Sequence, residues 1–286
     1  MDAISTNALF AESSGRALRA RQFLEGLPLA RGGSKQLRRL PDGGVVGDWY
    51  GCELSSVFQP IVDPAGARIV GHEAFLRILG SGGHDLSPWT LFSANADDAR
   101  LVALDRLART VHALNFIAST NGGASEDTLL FLNVHGRLLA AVDADHGAAF
   151  RRVVDALGIA AGRIVIETPV SASSQPDLLN FVLRNYRQNG FQVAVNVESP
   201  AQWQALAAAS HAQYIKVDGS KLIAESDAPE RIRWFASLRG AATPILTRLE
   251  SQLAQDWVEH CLVQGDAYGH TNVRVVGAVP GPGALG

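Results

Sequence analysis

Several features that would assign a function at once are scarce in this chain. Its 286 residues include two cysteines, Cys52 and Cys261, too few for a disulfide framework, and no Cys/His spacing matches a zinc site. No segment approaches the roughly 20 apolar residues of a membrane span, and the N-terminus lacks the basic and apolar regions of a secretory signal. A net charge of −3 offers no basic surface to a nucleic acid polymer. We therefore expect a cytoplasmic globular protein that binds neither membranes nor nucleic acid polymers.

Lysine is scarce as well. Only Lys35, Lys216 and Lys221 are lysines, while the chain is rich in arginine. A coding bias toward arginine explains the imbalance. A lysine within an apolar run, as Lys216 is, therefore stands out as a candidate for a specific role.

Short apolar runs alternate with helical patterns from Leu54 onward. Runs of β-branched and leucine residues predict buried strands near 57–62, 68–77, 129–134, 163–168, 191–197, 213–217, 244–249 and 261–264. Amphipathic spacing predicts helices from Ser87, over 97–116, and at 137–157, 175–189, 200–210, 221–239 and 251–259. This alternation is typical of βα units, and about eight strands favour an α/β fold of the TIM-like (β/α)8 barrel kind. No Gly-x-Gly-x-x-Gly follows a strand, which weighs against a dinucleotide-binding fold.

The two ends of the chain differ from this central region. Residues 1–50 are predicted to form an N-terminal helical extension, with a helix within 8–29 and a Pro-Asp-Gly-Gly turn at 41–44. The helix either packs on the domain or docks a partner. Residues 51–275 form the barrel, and the Gly/Pro-rich tail at 276–286 is expected to be flexible.

Six of the apolar runs end on a polar side chain, or nearly so. These residues are Glu73, Asn133, Glu167, Asn196, Lys216 and Gln264. A polar residue at such a point is a misfit in a core, but α/β barrels place their ligands at the carboxyl ends of the strands. We therefore expect these side chains to converge on one rim and to form a site.

The motifs around these residues resemble the EAL domain. Phe58-Gln-Pro-Ile-Val and His72-Glu-Ala-Phe-Leu-Arg77 resemble its opening, whose signature is Glu-Ala-Leu followed by Leu-Arg. The remaining motifs follow in the family's order: Leu132-Asn133-Val, Val165-Ile-Glu167-Thr, Tyr214-Ile-Lys216-Val-Asp218, Glu250-Ser-Gln-Leu and Gln264-Gly265. Each motif is weak alone, but six in this order, over roughly residues 54–275, make a specific match.

The resemblance implies a barrel that binds cyclic di-GMP and, in active members, hydrolyses it with two Mg²⁺ or Mn²⁺ ions. On this basis Glu73, Asn133 and Glu167 are half of a vestigial metal shell, and Gln59, Arg77 and Gln264 are ligand contacts. Glu73, Lys216 and Glu250 are remnants of the catalytic set. Carboxylate and amide oxygens suit hard divalent ions, and an arginine fork suits a phosphate.

Departures from the family's pattern predict a loss of catalysis. Asn196 and Val197 stand where the family has a paired Asp-Asp, and Thr247 stands where it has the proposed general base. The family's second Glu in Glu-x-Thr-Glu is Val170, and the Gly of Glu-Gly-Val-Glu is Arg248. Losing a positioned base typically costs about 10²–10⁴ in rate, and valine cannot ligate a metal. We therefore expect no required cofactor, with Mg²⁺ or Mn²⁺ needed only if the chain is active.

Three functions remain open at this point. The first is an inactive EAL-like domain that senses cyclic di-GMP or regulates a protein partner. The second is an active metal-dependent phosphodiesterase that yields the linear dinucleotide, and the third is an interaction module that no longer binds nucleotide. The resemblance also implies pairing of two copies through a barrel face.

Structural roles compete with each of these functional interpretations. Glu73 can pair with Arg77, and Lys216 can neutralise Glu73 or Glu167 without touching a ligand, since removing one buried partner would leave an uncompensated charge. Asn133 can cap the segment that follows it, and Gln264-Gly265 can be a plain turn.

Overall fold

The computed structural model describes residues 22, 36–65, 67–94, 97–120, 127–137, 146–199, 201–204, 212–220, 228–238, 241–253 and 261–272. The strands are β1 Leu37–Arg39, β2 Val45–Trp49, β3 Cys52–Asp63, β4 Arg68–Leu79, β5 Asp85–Leu86, β6 Leu129–Asn133, β7 Ile164–Thr168, β8 Gln192–Asn196, β9 Tyr214–Asp218, β10 Thr243–Thr247 and β11 Leu262–Val263. The helices are α1 Pro88–Ala94, α2 Asp98–Thr120, α3 His146–Ala156, α4 Pro176–Gln188 and α5 Ala228–Leu238.

Eight of these strands close into a barrel. Their order is β3-β11-β10-β9-β8-β7-β6-β4, and pairing of β3 with β4 completes the ring. Seven strands run parallel, whereas β3 is antiparallel to both neighbours. The exception has a local cause, because only four residues separate the end of β3 at Asp63 from the start of β4 at Arg68, and so short a connection joins antiparallel strands. The predicted barrel and all eight predicted strands are confirmed.

Two apolar layers hold the barrel together. Its interior is filled by a small cluster: Ile61, Phe131, Val165, Ala194, Ile245 and Leu262. The outward-facing residues of the same strands pack against the helices in a larger core. Along β6 and β7 the alternation of a strand places Asn133 and Glu167 on the same inward face as Phe131 and Val165, two residues closer to the carboxyl end. The polar residues therefore lie directly above the apolar filling of the barrel.

Strands β3 and β4 continue beyond the end of the barrel. Parallel pairing of β4 with β6 stops at Ala74, but β4 runs on to Leu79. Together with β1, β2 and β5 this part forms a five-stranded antiparallel sheet above the rim. Helix α2 covers one face of the sheet, where Leu107 and Val111 approach Gly47 so closely that a larger residue would crowd them.

This sheet corrects the predicted N-terminal extension. The helical extension was predicted to reach residue 50, with its helix within 8–29 and a turn at 41–44, but residues 37–49 form the antiparallel hairpin β1–β2, which pairs with the barrel strand β3. The predicted Pro-Asp-Gly-Gly turn at 41–44 is present and joins its strands, with Gly43 in the left-handed region (φ 89°). The helix predicted within 8–29 lies outside the described residues except for Gln22, and so does the tail.

Most predicted helices are present with shifted ends. The region from Ser87 contains α1, and the helix predicted over 97–116 is α2. Those predicted at 137–157, 175–189 and 221–239 contain α3, α4 and α5, and of 200–210 the described residues 201–204 are helical. Residues 251–253, at the start of the last predicted helix, are not helical, and the rest of that segment is not described. Within the described part of the chain, no helix combines the length and apolarity of a membrane span.

Candidate functional site

A pocket of about 630 Å³ opens at the carboxyl ends of the barrel strands, and we call it the rim pocket. It is lined by the polar residues predicted from the strand ends together with their loop neighbours: Gln59, Glu73, Phe75, Asn133, Glu167, Val170, Asn196, Val197, Glu198, Lys216, Asp218, Thr247, Arg248, Leu249, Glu250, Gln264, Gly265 and Asp266. Register explains the convergence, since Gln59 pairs with Glu73, Asn133 with Glu167, and Asn196 with Lys216. The six strand-end residues therefore meet at one site, as predicted.

Lys216 lies between two glutamates at the floor of this pocket. Its Nζ atom is 2.5 Å from Oε2 of Glu73 and 2.6 Å from Oε1 of Glu167. The exposed fractions of the three side chains are only 3%, 8% and 1%. The lysine thus neutralises both glutamates inside the rim, which is the structural role considered for it above, and Glu73 contacts Lys216 rather than Arg77.

Glu73 also accepts hydrogen bonds from two side-chain amides. Asn133 donates through Nδ2 to Oε1 of Glu73 at 2.7 Å, and Gln264 donates through Nε2 to Oε2 at 2.8 Å. Both oxygens of the carboxylate are therefore directed at N–H groups. Asn133 turns its nitrogen inward, which makes it a partner of Glu73 in this structure.

Burial and charge act in opposite directions on the three ionisable groups. Burial alone would raise the pKa of Glu73, but Lys216 and the hydrogen bonds to Glu73 outweigh it, and the pKa lies below its ordinary value. Burial, reinforced by the charge of Glu73, raises the pKa of Glu167 to about 7 in spite of Lys216. Burial would lower the pKa of Lys216, but the two carboxylates raise it. Lys216 therefore stays charged, while Glu167 takes up a proton near neutral pH.

Gln264 has an unused acceptor. The side chain is buried, with 2% of the residue exposed, and its Oε1 atom has no hydrogen-bond partner among the described residues. The next residue, Gly265, has φ 153°, and a Cβ atom there would collide with the backbone of Leu249. The close approach of these two chain segments requires glycine. The Gln-Gly pair is therefore more than a plain turn, and Gln264 keeps a buried amide oxygen without a partner among the described residues.

The residues that replace the family's acids carry no carboxylate, and Asn196 forms a side-chain hydrogen bond with Glu167. Asn196 donates through Nδ2 to the Thr168 carbonyl oxygen at 2.8 Å, and Val197 is buried with 2% exposed. Thr247 donates through Oγ1 to the Val217 carbonyl oxygen at 3.3 Å. These positions therefore supply neither a general base nor a second pair of anionic ligands.

Arg248 adopts an unusual backbone conformation. Its φ of 57° lies in the left-handed region, which costs a residue with a Cβ atom roughly 1 kcal/mol or more. Its guanidinium Nη1 is 3.2 Å from Oδ2 of Asp218, and the side chain is exposed. An arginine thus occupies a glycine-like position on the rim.

Two further predicted residues lie at the edge of the rim pocket. Gln59 donates weakly through Nε2 to Oδ1 of Asp266 at 3.3 Å and to the Gly269 carbonyl oxygen at 3.5 Å. Glu250 is exposed. Both face the pocket but not the carboxylate–lysine cluster.

Arg77 is the predicted residue that the structure does not bring into the rim pocket. It is exposed, donates to the Leu76 carbonyl oxygen at 3.4 Å, and lines a second cavity of about 990 Å³, which we call the side cavity. Strand β4 extends above the rim, and Arg77 lies four residues beyond Glu73, about 13 Å farther along the strand. The two cavities adjoin, because Phe75 and Asn133 line both.

The side cavity also contains groups that the sequence did not single out. Asp105 and Arg109, one turn apart on α2, form a buried ion pair, and Arg109 donates to the Tyr186 hydroxyl at 3.2 Å. Burial raises the pKa of Asp105 although Arg109 opposes this. Nearer the mouth, Phe92 stacks on His135 with ring centroids 4.9 Å apart. In the sequence, these two residues show only as an acidic and a basic residue four positions apart on a predicted helix. The same spacing is found in ion pairs on the protein surface, so it did not indicate burial.

The two cavities differ in charge. Six of the residues that line the rim pocket are acidic and two are basic: Glu73, Glu167, Glu198, Asp218, Glu250 and Asp266 against Lys216 and Arg248. The lining of the side cavity includes three arginines, Arg77, Arg109 and Arg137, and one carboxylate, Asp105, while Arg137 also pairs with Asp98 outside the lining. The described lining is therefore anionic at the rim and cationic beside it.

The chain matches a known protein family. The EAL domain family matches residues 50–249, which is more than half of the sequence. The chain belongs to the EAL domain family. No curated protein sequence matches it.

Solved EAL domain structures share the fold. The FimX EAL domain from Pseudomonas aeruginosa, bound to cyclic di-GMP, is 19% identical with a TM-score of 0.62, and the match covers 77% of this chain and 91% of that one. Bacillus subtilis YkuI, in complex with cyclic di-GMP and calcium, is 20% identical with a TM-score of 0.62, over 79% of this chain and 57% of that one. Klebsiella pneumoniae BlrP1, in a manganese and cyclic di-GMP complex, is 21% identical with a TM-score of 0.61, over 77% and 56%. This chain thus spans little more than half of the last two proteins.

The rim of this chain does not fit the metal ions of those complexes. Among the described residues, no three His, Cys, Asp or Glu side chains converge to hold a metal ion, and the partners of Glu73 are N–H donors. The ammonium of Lys216, in contact with both carboxylates, repels a divalent ion placed beside them. Lys216 therefore opposes metal binding between its own two carboxylates.

Proposed function

We propose that this EAL domain binds cyclic di-GMP without hydrolysing it and acts as an effector in cyclic di-GMP signalling. The observation that carries the proposal is the state of the rim carboxylates, since Glu73 and Glu167 both contact the ammonium of Lys216. Cutting a phosphodiester with metals requires a cation pair that activates water and stabilises the leaving oxygen. Val197 and Thr247 provide neither the missing metal ligands nor a general base. The site can therefore bind the nucleotide but not hydrolyse it.

The two adjoining cavities suit the parts of a cyclic dinucleotide. Pockets of a few hundred to about 1,000 Å³ accommodate ligands of this size, and the two cavities measure about 630 and 990 Å³. The aromatic pair Phe92–His135 and the exposed Trp89 offer faces for a purine to stack on.

Arg77 supplies the charge that the rim pocket lacks. The rim lining is anionic and would repel a phosphodiester, whereas Arg77 lines the side cavity two residues beyond Phe75, which lines both cavities. A guanidinium fork matches two oxygens of a phosphate. We therefore place the phosphates beside Arg77 in the side cavity and not beside Glu73.

Calorimetric titration with cyclic di-GMP in EDTA tests this proposal. We expect saturable binding that weakens about tenfold or more in Arg77→Ala, the usual effect of losing a hydrogen bond to a charged group. Arg68→Ala is the matched control, because Arg68 is an exposed arginine at the other end of β4, paired with Asp63. Absence of heat at high protein concentration, or equal affinity in both variants, would contradict the proposal.

The acidity of the rim favours a second candidate, a protein-interaction module. The carboxylates that ring the rim pocket suit a basic peptide better than a nucleotide. In this case a short lysine- and arginine-rich peptide would bind in a salt-dependent manner. Glu198→Lys would weaken binding of the peptide. Cyclic di-GMP would neither bind to the chain nor compete with the peptide.

A further inference from the structure

We infer that the N-terminal segment 8–29 docks, as an amphipathic helix, on an exposed apolar patch at the outer end of the antiparallel sheet above the rim. The patch consists of Tyr50, Leu79 and Trp89, and we call it the hairpin patch. The inference goes beyond the proposed function, because it concerns a contact between two parts of one chain and involves no nucleotide.

Exposed apolar side chains are concentrated at this end of the molecule. Four large apolar side chains are exposed among the described residues, and three of them are Tyr50, Leu79 and Trp89, with exposed fractions of 76%, 42% and 73%. The fourth, Phe181, lies on α4. Single exposed apolar residues are ordinary, but several together mark a surface that another segment covers.

Two hairpin turns bring the members of the patch together. Tyr50 lies in the turn between β2 and β3, and Leu79 is the last residue of β4 before its turn into β5. A Cβ atom added at Gly51 would lie 4.0 Å from that of Ser81, so the two turns adjoin. Trp89, in the first turn of α1, follows β5 by three residues.

Tyr50 is fixed in an outward position. Its φ of 50° lies in the left-handed region, which is costly for a residue with a Cβ atom. Its ring packs edge-on against Trp49 with centroids 5.2 Å apart, and the guanidinium of Arg100 lies 5.8 Å from the ring centroid. The ring is therefore held in place and needs little ordering when another segment covers it.

The N-terminal segment joins the sheet beside this patch. The amide of Asp48 donates to the carbonyl oxygen of Gln36 at 2.8 Å, and Leu37 pairs with Gly47 in antiparallel register. The chain that precedes Gln36 therefore leads toward the turn that carries Tyr50. Residues 28–35, which include Gly-Gly-Ser, span about 15 Å as a flexible linker. A tether this short gives the segment a high effective concentration at the patch.

The segment has the apolar stripe that such a surface requires. Ala20, Phe23, Leu24 and Leu27 follow the i, i+3, i+4, i+7 spacing of one helix face. Gln22, the described residue of this segment, is helical and exposed, and the same spacing places it on the opposite face. The connection and the stripe together select this segment as the occupant of the hairpin patch.

Hydrogen exchange of the full-length chain, followed by mass spectrometry, tests the inference. A helix of this length is marginal in water when it is not packed, so slow exchange of the amides in 17–27 reports docking. We expect these amides to be protected in the wild type and to exchange at least about tenfold faster in Tyr50→Asp and in Leu24→Asp, since each variant places a charge in the apolar contact.

Two matched controls should leave the protection unchanged. Phe181→Asp alters an exposed aromatic residue of α4, outside the patch, and Gln22→Asp alters the polar face of the segment. The buried amides of β7 provide an internal reference, and their unchanged exchange shows that each variant remains folded.

Three results would overturn the inference. The first is fast exchange of residues 17–27 in the wild type, and the second is equal protection in Tyr50→Asp and Phe181→Asp. The third is protection that disappears when the protein is diluted, because the patch would then be covered by a second copy of the chain. No result depends on whether the chain binds cyclic di-GMP.

Discussion

Replacing Glu167 by glutamine should change how the stability of this protein depends on pH. The ordinary pKa of a glutamate is 4.5, and burial beside Glu73 raises that of Glu167 to about 7 in the folded state. Between these two values the folded chain binds a proton that the unfolded chain does not. By linkage, stability therefore falls as pH rises through this window and stays lower above it.

The magnitude follows from the two pKa values. Each pKa unit corresponds to about 1.4 kcal/mol, so full ionisation of Glu167 costs about 3 kcal/mol. Glutamine has the shape of the protonated acid and does not ionise. The variant should match the wild type near pH 4.5 and be about 3 kcal/mol more stable at pH 8. The lowered pKa of Glu73 acts in the opposite direction and at lower pH, and this residue is present in both proteins.

Urea unfolding from pH 4.5 to 8.5 measures this difference. Glu250→Gln is the control, since it removes an exposed carboxylate from the same rim and should give a flat difference curve. A flat curve for Glu167→Gln would refute the reasoning. So would a variant that loses stability relative to the wild type as pH rises, because Glu167 would then be an ionised partner of Lys216 throughout.

Three further predictions concern single positions. Arg248→Gly should stabilise the fold by about 1 kcal/mol in urea unfolding, because glycine adopts the left-handed backbone conformation without strain. The exposed ion pair with Asp218, which this change removes, contributes little. Arg248→Ala keeps a Cβ atom and should give no such gain. Gly265→Ala should lower the unfolding temperature sharply, since its Cβ would meet the backbone of Leu249, and an unchanged temperature would show that the segments are not in close contact. Cys261, whose thiol pKa burial raises to about 12, should resist a thiol reagent at pH 8 until denaturant is added, and rapid labelling would contradict its burial.

The barrel was predictable because its strands are buried on both faces. Ile164–Thr168 and Gln192–Asn196 read as continuous apolar runs, and such runs are rare outside a covered parallel sheet. The hairpin β1–β2 was missed because Leu37–Arg39 has three residues, two of them arginine, and its pairing comes from the neighbouring strands. No local pattern carries that information.

The convergence of polar side chains at the rim could be predicted from the sequence for a related reason, but the side cavity could not. A polar residue that ends an apolar strand has few places to lie, so Glu167 and Lys216 could be expected at one rim. Arg77 shares the strand face of Glu73, but the length of β4 beyond the barrel could not be read from sequence, and this length carries Arg77 out of the rim pocket. In the sequence, Asp105 and Arg109 resemble a surface ion pair. The structure shows that they are buried in the side cavity among α1, α2 and α4.

Incubation of the wild-type chain with cyclic di-GMP and Mn²⁺, followed by chromatography of the nucleotides, is the most direct test of a site that recognises but does not cut. The account predicts that cyclic di-GMP is recovered intact, while an active phosphodiesterase of the family yields the linear dinucleotide under the same conditions. Steady formation of linear dinucleotide by this chain, abolished by Glu73→Gln, would contradict it.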